Sequence, residues 1–206
     1  MQQKPIQERF GQELIDAVAN FAKSEISSPD ELGVEKFDHV ADHELRRALA
    51  ETLYGARWLY KLGLALLVSG DERSAHVRMQ VIDYASICEA LLADMILQAQ
   101  ESGKVYGDQY KFTDFQKKRS LDWGVNPRKQ VHKTTFEWRI KVSEDFEIID
   151  AKLANSLNAI RGHRNTVHLT QKIQQGVPYY IGMAQRSFNV MNKLIKVTRK
   201  WRADLK

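Results

Sequence analysis

Apolar residues that recur every three or four positions over two long stretches constrain the fold of this chain more than any other feature. One stripe runs through residues 42–68 and the second through residues 74–101. This spacing places apolar side chains along one face of an α-helix. Gly70 lies between the two stretches and predicts a turn, and Gly103 and Gly107 predict the end of the second helix. We therefore expect a mostly α protein, a helical bundle of about five to six helices.

The remaining patterns divide a single helical domain, residues 1–206, into segments. A first amphipathic helix is predicted over 6–23, and Pro178 predicts the first residue of the last helix. The expected segments are an N-terminal helix and linker at 1–41, a long helical pair at 42–101, an irregular insertion at 102–142, and a motif helix with a C-terminal helix at 143–206.

The insertion holds the least regular patterns. Thr113 followed by Gln116 is typical of a capping box and predicts a short helix. Apolar residues alternate with charged residues from 136 to 142, which indicates a short strand paired with 104–112. An extended segment lying across helices would give the same alternation. The predicted bundle therefore has an optional insertion around 104–142, either a short extended segment or a hairpin. Ser143 is then predicted to cap the motif helix.

Composition and charge narrow the class of protein. The single cysteine, Cys88, cannot form an internal disulfide, and the longest wholly apolar run, Leu64 to Val68, is too short to span a bilayer. The polar N-terminus does not resemble a secretory signal, so we expect a soluble, cytoplasmic protein with no membrane partner. Residues 1–101 carry a net charge of −7 and residues 102–206 a net charge of +12. This asymmetry indicates a polyanion-binding face, two halves that attract each other, or simply solvated helix surface, and charge alone favours the last.

The segment NAIRGHRNTVHL, residues 158–169, departs from the pattern of an amphipathic helix. An apolar stripe runs from 146 to 160, and Arg164 is the next position on it. Arg161 and His168 fall toward one side of the stripe, with Asn165 beyond them, whereas His163 points away and is expected to be exposed. An arginine at a core-facing position is costly unless it is paired or faces a cleft.

Glu89 is the predicted partner of this arginine. It lies off the main stripe of the helix at 74–101, among mostly apolar neighbours, where a carboxylate needs a cation. We expect it to pair with Arg164 or Arg161, and the alternative is that Glu89 faces water. If the pair with Arg164 is buried, its loss would cost about 3–5 kcal/mol.

Two other patterns compete with this segment. Arg128 and His132 repeat the Arg-x-x-x-His spacing, but they follow a proline in a predicted loop and lack the asparagine, so we assign them no role. His39 and His43, four residues apart beside three acids, would share a metal ion if both lay on one helix. No third histidine lies nearby, and solvated residues at the start of a helix are the simpler interpretation.

The segment Arg161-Gly-His-Arg164-Asn165-Thr-Val-His168 resembles the signature of the HEPN (higher eukaryotes and prokaryotes nucleotide-binding) superfamily. That signature is an Arg and a His with four to six residues between them, at the end of a helix in an all-helical bundle, and a polar residue often follows the Arg. Arg161 and His168 fit with six intervening residues, whereas Arg164 and His168 have three. The arrangement is similar to that of abortive-infection-like members, and the helix containing Glu89 resembles the family's earlier helix with its acidic residue.

The resemblance implies RNA cleavage without a metal or other cofactor, by a toxin or phage-defence effector that acts as a homodimer. It implies catalytic roles for Arg161, Arg164, Asn165 and His168, a supporting role for Glu89, and an antitoxin or larger defence complex as a further partner. A HEPN-like module that only binds RNA or a partner protein is the alternative, and a purely structural helix end is another. Basic residues in two clusters are expected to contact RNA: Lys117, Lys118 and Arg119, and Lys193, Lys196, Arg199, Lys200 and Arg202.

Overall fold

The structure is mostly helical. A computed structural model describes residues 10–104, 126–165 and 179–205 with their side chains, and residues 111–114 and 117–120 by their backbone. The helices are α1 (Gln12–Lys23), α2 (Pro29–Phe37), α3 (His43–Ala65), α4 (Gly70–Glu101), α5 (Pro127–His132), α6 (Phe136–Asp145), α7 (Ala151–Asn165) and α8 (Ile181–Asp204). The mostly α class is confirmed, but these eight helices exceed the five to six that we predicted.

The long helix α4 is the centre of the bundle. It packs against α3 and α8, and also against α5, α6 and α7. Its buried side chains face several directions, and Tyr84, Ile87, Leu91, Leu92 and Met95 are almost completely enclosed. A helix surrounded in this way provides the surface on which the other helices bury their apolar faces.

Two helix boundaries lie close to the predicted ones. Asp42 caps α3, because its carboxylate accepts a hydrogen bond from the backbone N–H of Leu45 at 3.0 Å. The helix α4 ends two residues before Gly103, whose φ of +75° is readily adopted by glycine. Gly107 and Pro178 lie outside the described residues.

The strand predicted over residues 136–142 is wrong, because this segment forms α6. The side chain of Thr135 caps the helix by accepting a hydrogen bond from the backbone N–H of Trp138 at 3.2 Å. The helix packs against both α4 and α7, so Arg139 and Ser143 are buried along with its apolar residues. Burial on several sides explains why the apolar residues do not follow one helical stripe.

The start of the motif helix also differs from the prediction. Ser143 does not cap it but is fully buried within α6. The helix α7 begins at Ala151, after Asp150, whose carboxylate accepts a hydrogen bond from the backbone N–H of Leu153 at 2.6 Å. The aspartate therefore has the capping role that we assigned to the serine.

The remaining part of the insertion contains a two-stranded antiparallel hairpin and a short helix. Strand β1 (Lys111–Asp114) pairs with β2 (Lys117–Ser120), so the predicted helix starting near Thr113 is wrong. Arg128 and His132 lie in α5 rather than in a loop. Among the described helices, none has the length and apolar character needed to cross a membrane.

Candidate active site

The end of α7 brings together three of the predicted catalytic residues. Leu153, Leu157 and Ile160 are buried along one stripe of this helix, and Arg164 follows Ile160 by one turn. Arg161 and Asn165 lie in the same last turn. His168 lies outside the described residues, so its role stays a prediction.

The predicted pair between Glu89 and Arg164 is present. Arg164 Nη2 lies 3.2 Å from Glu89 Oε2, and the side chain of Arg164 is 40% exposed whereas that of Glu89 is 18% exposed. One face of the pair therefore contacts the bundle and the other contacts solvent. A guanidinium held in this position has N–H groups that can reach a phosphate at the protein surface.

Arg161 lies beside this pair and has different partners. Its Nη1 lies 3.2 Å from Oε2 of Glu137, an exposed residue of α6, and its Nε donates to the Asn158 side chain at 3.2 Å. The two arginines of the motif are thus oriented by separate acidic residues, one on α4 and one on α6. Both are partly accessible to solvent.

A second arginine, Arg139, binds Glu89 from the protein interior, and no sequence pattern predicted this contact. Arg139 Nη1 donates to the backbone carbonyl of Glu89 at 3.1 Å and lies 3.9 Å from Oε1 of the same residue. Its remaining N–H groups donate to the carbonyls of Val131, His132 and Thr134 and to the Thr134 hydroxyl. Burial is the main cause that lowers the pKa of Arg139, and the negative charge of Glu89 opposes this shift.

The alternation at 136–142 concealed Arg139, because it assigned this residue to the solvent face of a strand. A signal was nevertheless present, since Arg139 lies three residues after Phe136 and three before Val142, and both are buried in α6. Glu89 therefore lies between a buried arginine and a half-exposed one. Two arginines therefore constrain the Glu89 side chain, whereas we predicted one.

His163 is half-buried, and our expectation that it would be exposed is wrong. Burial lowers the pKa of His163, and the positive charge of Arg186 on α8 lowers it further. The end of α7 therefore approaches the first half of α8. This proximity adds a cation of α8 to the surroundings of the motif.

The structure describes the side chains of the basic cluster on α8 and only the backbone of the cluster at residues 117–119. Lys193, Lys196 and Lys200 are exposed on α8 and lie on one face because they are three and four residues apart. Arg199 instead pairs with Asp38 at 2.7 Å. The side chains of Lys117, Lys118 and Arg119 lie outside the described residues, and only their backbone is placed, on β2.

The residues of the rival metal site do not share a helix. His39 follows α2, whereas His43 is the first residue of α3. The ring of His39 is buried, with Nε2 2.9 Å from the Thr198 hydroxyl. Among the described residues, no group of three or more His, Cys, Asp or Glu side chains could hold a metal ion.

The charge asymmetry has a structural counterpart. Among the described residues, four ion pairs join the acidic half of the chain to the basic half: Glu89–Arg164, Glu89–Arg139, Asp38–Arg199 and Asp42–Arg128. Part of the opposite charge therefore contributes to contacts between the two halves.

Comparisons with models of protein families, with curated proteins and with solved structures gave no match for this chain.

Proposed function

We propose that this protein is a metal-independent endoribonuclease of HEPN type. The observation that carries the proposal is the position of Arg164, which Glu89 holds at the edge of the bundle, four residues before His168. A half-exposed guanidinium that is fixed by a carboxylate suits the binding of a phosphate better than it suits a packed core. The resemblance of residues 161–168 to the family signature supplies the reaction class.

The proposed reaction is attack by an RNA 2′-hydroxyl on its own 3′-phosphate. His168 removes the hydroxyl proton or, in a second copy, protonates the leaving 5′-oxygen. The bond from phosphorus to the 2′-oxygen forms and the bond to the 5′-oxygen breaks, which leaves a 2′,3′-cyclic phosphate and a 5′-hydroxyl. Arg161 and Arg164 stabilise the negative charge on the phosphate, and Asn165 orients the imidazole or the phosphate.

This chemistry favours a homodimer. One Arg–His pair offers a single titratable group, whereas the reaction uses both an acid and a base, and two copies of His168 across a two-fold axis supply both. We propose that α7 and α8 form the interface. A fully active monomer at micromolar concentration, measured by light scattering, would contradict this arrangement.

The test is cleavage of RNA by the purified protein in excess EDTA, with the product ends identified by mass spectrometry. His168→Ala should lower the rate by about 10²–10⁴-fold, as expected for the loss of one proton-transfer group. The matched control is His132→Ala, because Arg128 and His132 have the same spacing in α5 but no proposed role. A variant at His168 that cuts RNA at the wild-type rate would contradict the proposal.

The exposed lysines of α8 are proposed to guide RNA to the site. Replacing Lys193, Lys196 or Lys200 by alanine should weaken RNA binding. Each replacement should also reduce by about one the slope of the logarithm of the binding constant against the logarithm of the salt concentration. Salt-sensitive binding with no cleavage by the wild-type protein would favour the alternative, a module that binds RNA without cutting it. If cleavage occurs, a toxin or phage-defence role with an inhibitory partner is the biological context that the resemblance implies.

A further inference from the structure

A cavity of about 450 Å³ lies between the second half of α3 and the first halves of α4 and α8. This volume is within the range of about 300–1,000 Å³ that is typical of small-molecule sites. Much of its wall is aliphatic or aromatic, and Leu64, Val77, Ile181 and Phe188 contribute to it. Leu64 and Ile181 are about half-exposed, so the cavity is open to solvent on one side.

The described part of this wall contains basic side chains and no acidic one. Arg57, Arg73 and His76 line the cavity, and no Asp or Glu is among the described lining residues. Within the described part of the chain, neither Arg57 nor Arg73 forms an ion pair with a carboxylate. A cavity with apolar walls and unneutralised guanidinium groups is complementary to a ligand that is apolar at one end and anionic at the other.

The two arginines are held in place without using all their hydrogen-bond donors. The guanidinium of Arg57 lies over the rings of Tyr60 and Phe188, with its central carbon 5.2 Å and 4.8 Å from their centroids. Arg73 Nε donates to the carbonyl of Val68 at 3.0 Å. A guanidinium has five N–H donors, so groups remain to bind an anion after these contacts.

We propose that this cavity binds a small amphipathic carboxylate, with its apolar chain or ring on the aliphatic and aromatic wall and its carboxylate on Arg57 and Arg73. The lining favours this class over a sugar or a nucleotide, because these ligands need many more polar partners than the wall supplies. None of the described lining residues belongs to the proposed ribonuclease site. The proposal therefore does not depend on the proposed function.

The test is isothermal titration calorimetry of the full chain with octanoate and, separately, with octan-1-ol, which has the same tail and no charge. Octanoate should bind with a stoichiometry of one and at least tenfold more tightly than octan-1-ol. Arg73→Gln and Arg57→Gln should each weaken octanoate binding by about tenfold, as the loss of a charge-assisted hydrogen bond would. Leu64→Trp should abolish binding by filling the mouth of the cavity.

Arg47→Gln is the matched control, because Arg47 lies on the same helix as Arg57 but pairs with Glu51 on the exposed surface. It should leave octanoate binding unchanged. If Arg57→Gln fails to fold, the exposed Arg73 carries the test, with thermal melting as the check of folding. Absence of binding at millimolar octanoate, equal affinity for octan-1-ol, or unchanged affinity in Arg73→Gln would each overturn the proposal.

Discussion

Two arginines bind the same carboxylate, Glu89, in different surroundings. Arg139 is 7% exposed, and its N–H groups donate to backbone carbonyls and to the Thr134 hydroxyl as well as lying near Glu89. The side chain of Arg164 is 40% exposed, and Glu89 is its partner at 3.2 Å. The first arrangement uses the donors of a guanidinium to join helices, whereas the second leaves donors for a ligand. The residue type alone therefore does not separate a structural arginine from a functional one.

This comparison changes the role of Glu89. The sequence predicts a single partner for Glu89, so the removal of Arg164 would leave the Glu89 carboxylate unpaired among apolar side chains. In the structure Arg139 remains beside it after such a change. We therefore expect the stability of the fold to depend on Arg139 and the proposed activity to depend on Arg164.

The largest expected effect on stability is that of Arg139→Ala. This change removes a buried cation and leaves the backbone carbonyls of Glu89, Val131 and Thr134 without this donor, at a cost of about 3–5 kcal/mol. The free energy of unfolding in urea measures it. Arg47→Ala, which removes an exposed arginine paired with Glu51, should cost about 0.5 kcal/mol or less. Equal costs for the two variants would contradict the structural role of Arg139.

The second effect is that of Glu89→Gln, which keeps the shape of the side chain and removes its charge. Arg139 then remains buried without a counter-ion, although its bonds to backbone carbonyls persist, and we expect a loss of about 2 kcal/mol. Glu137→Gln is the control, because Glu137 pairs with Arg161 but is 67% exposed. It should change the free energy of unfolding by about 0.5 kcal/mol or less. An equal response of the two variants in urea would show that burial does not distinguish them.

Asp83 is a second carboxylate on α4, the helix that carries Glu89, and its expected effect on stability is smaller. It precedes Glu89 by six residues, and burial raises its pKa from 3.8 to about 6, with no cation among the causes. Because the folded state holds this proton more tightly than the unfolded state, stability falls as pH rises from about 4 to about 6. The group is partly exposed to solvent, so we expect a change of about 1 kcal/mol.

Asp83→Asn should remove this part of the pH dependence and stabilise the protein at pH 7. Urea unfolding at pH 4 and pH 7 measures both effects. Asp71→Asn, at the exposed start of α4, is the control and should not stabilise the protein at pH 7, because a carboxylate is favourable in the first turn of a helix. A pH dependence that is identical in Asp83→Asn and wild type would contradict the assignment to Asp83.

The sequence predicted the parts of this site that one helix determines. The stripe through Leu153, Leu157 and Ile160 placed Arg164 correctly, and the apolar neighbours of Glu89 indicated its need for a cation. The spacing of Arg139 from Phe136 and Val142 was too weak a signal to identify it, because α6 is buried on several sides and its apolar residues follow no single stripe. Its partners are carbonyl groups, which every residue carries, so no sequence pattern marks them. The short α5, whose end Arg139 binds, was likewise predicted as loop.

The smallest expected effect on stability is that of Arg164→Ala, although the same variant should lose most of the proposed activity. Its pair with Glu89 is partly exposed, and Glu89 keeps Arg139 as a partner, so the free energy of unfolding should fall by about 0.5 kcal/mol. This is far below the cost of about 3–5 kcal/mol expected for an isolated buried pair. RNA cleavage, measured on the same preparation, should be lost because the phosphate then lacks its fixed guanidinium.

Arg161→Ala separates the two arginines of the motif. It breaks a pair with the exposed Glu137, so its effect on stability should be equally small. Comparison of the cleavage rates of Arg161→Ala and Arg164→Ala then shows which guanidinium contacts the phosphate, since neither result can be attributed to unfolding. A loss of stability of several kcal/mol in Arg164→Ala, with cleavage retained by the folded fraction, would instead place Arg164 with Arg139 as a structural residue. The difference between the two sides of Glu89 would then disappear, because both arginines would serve to hold the helices together.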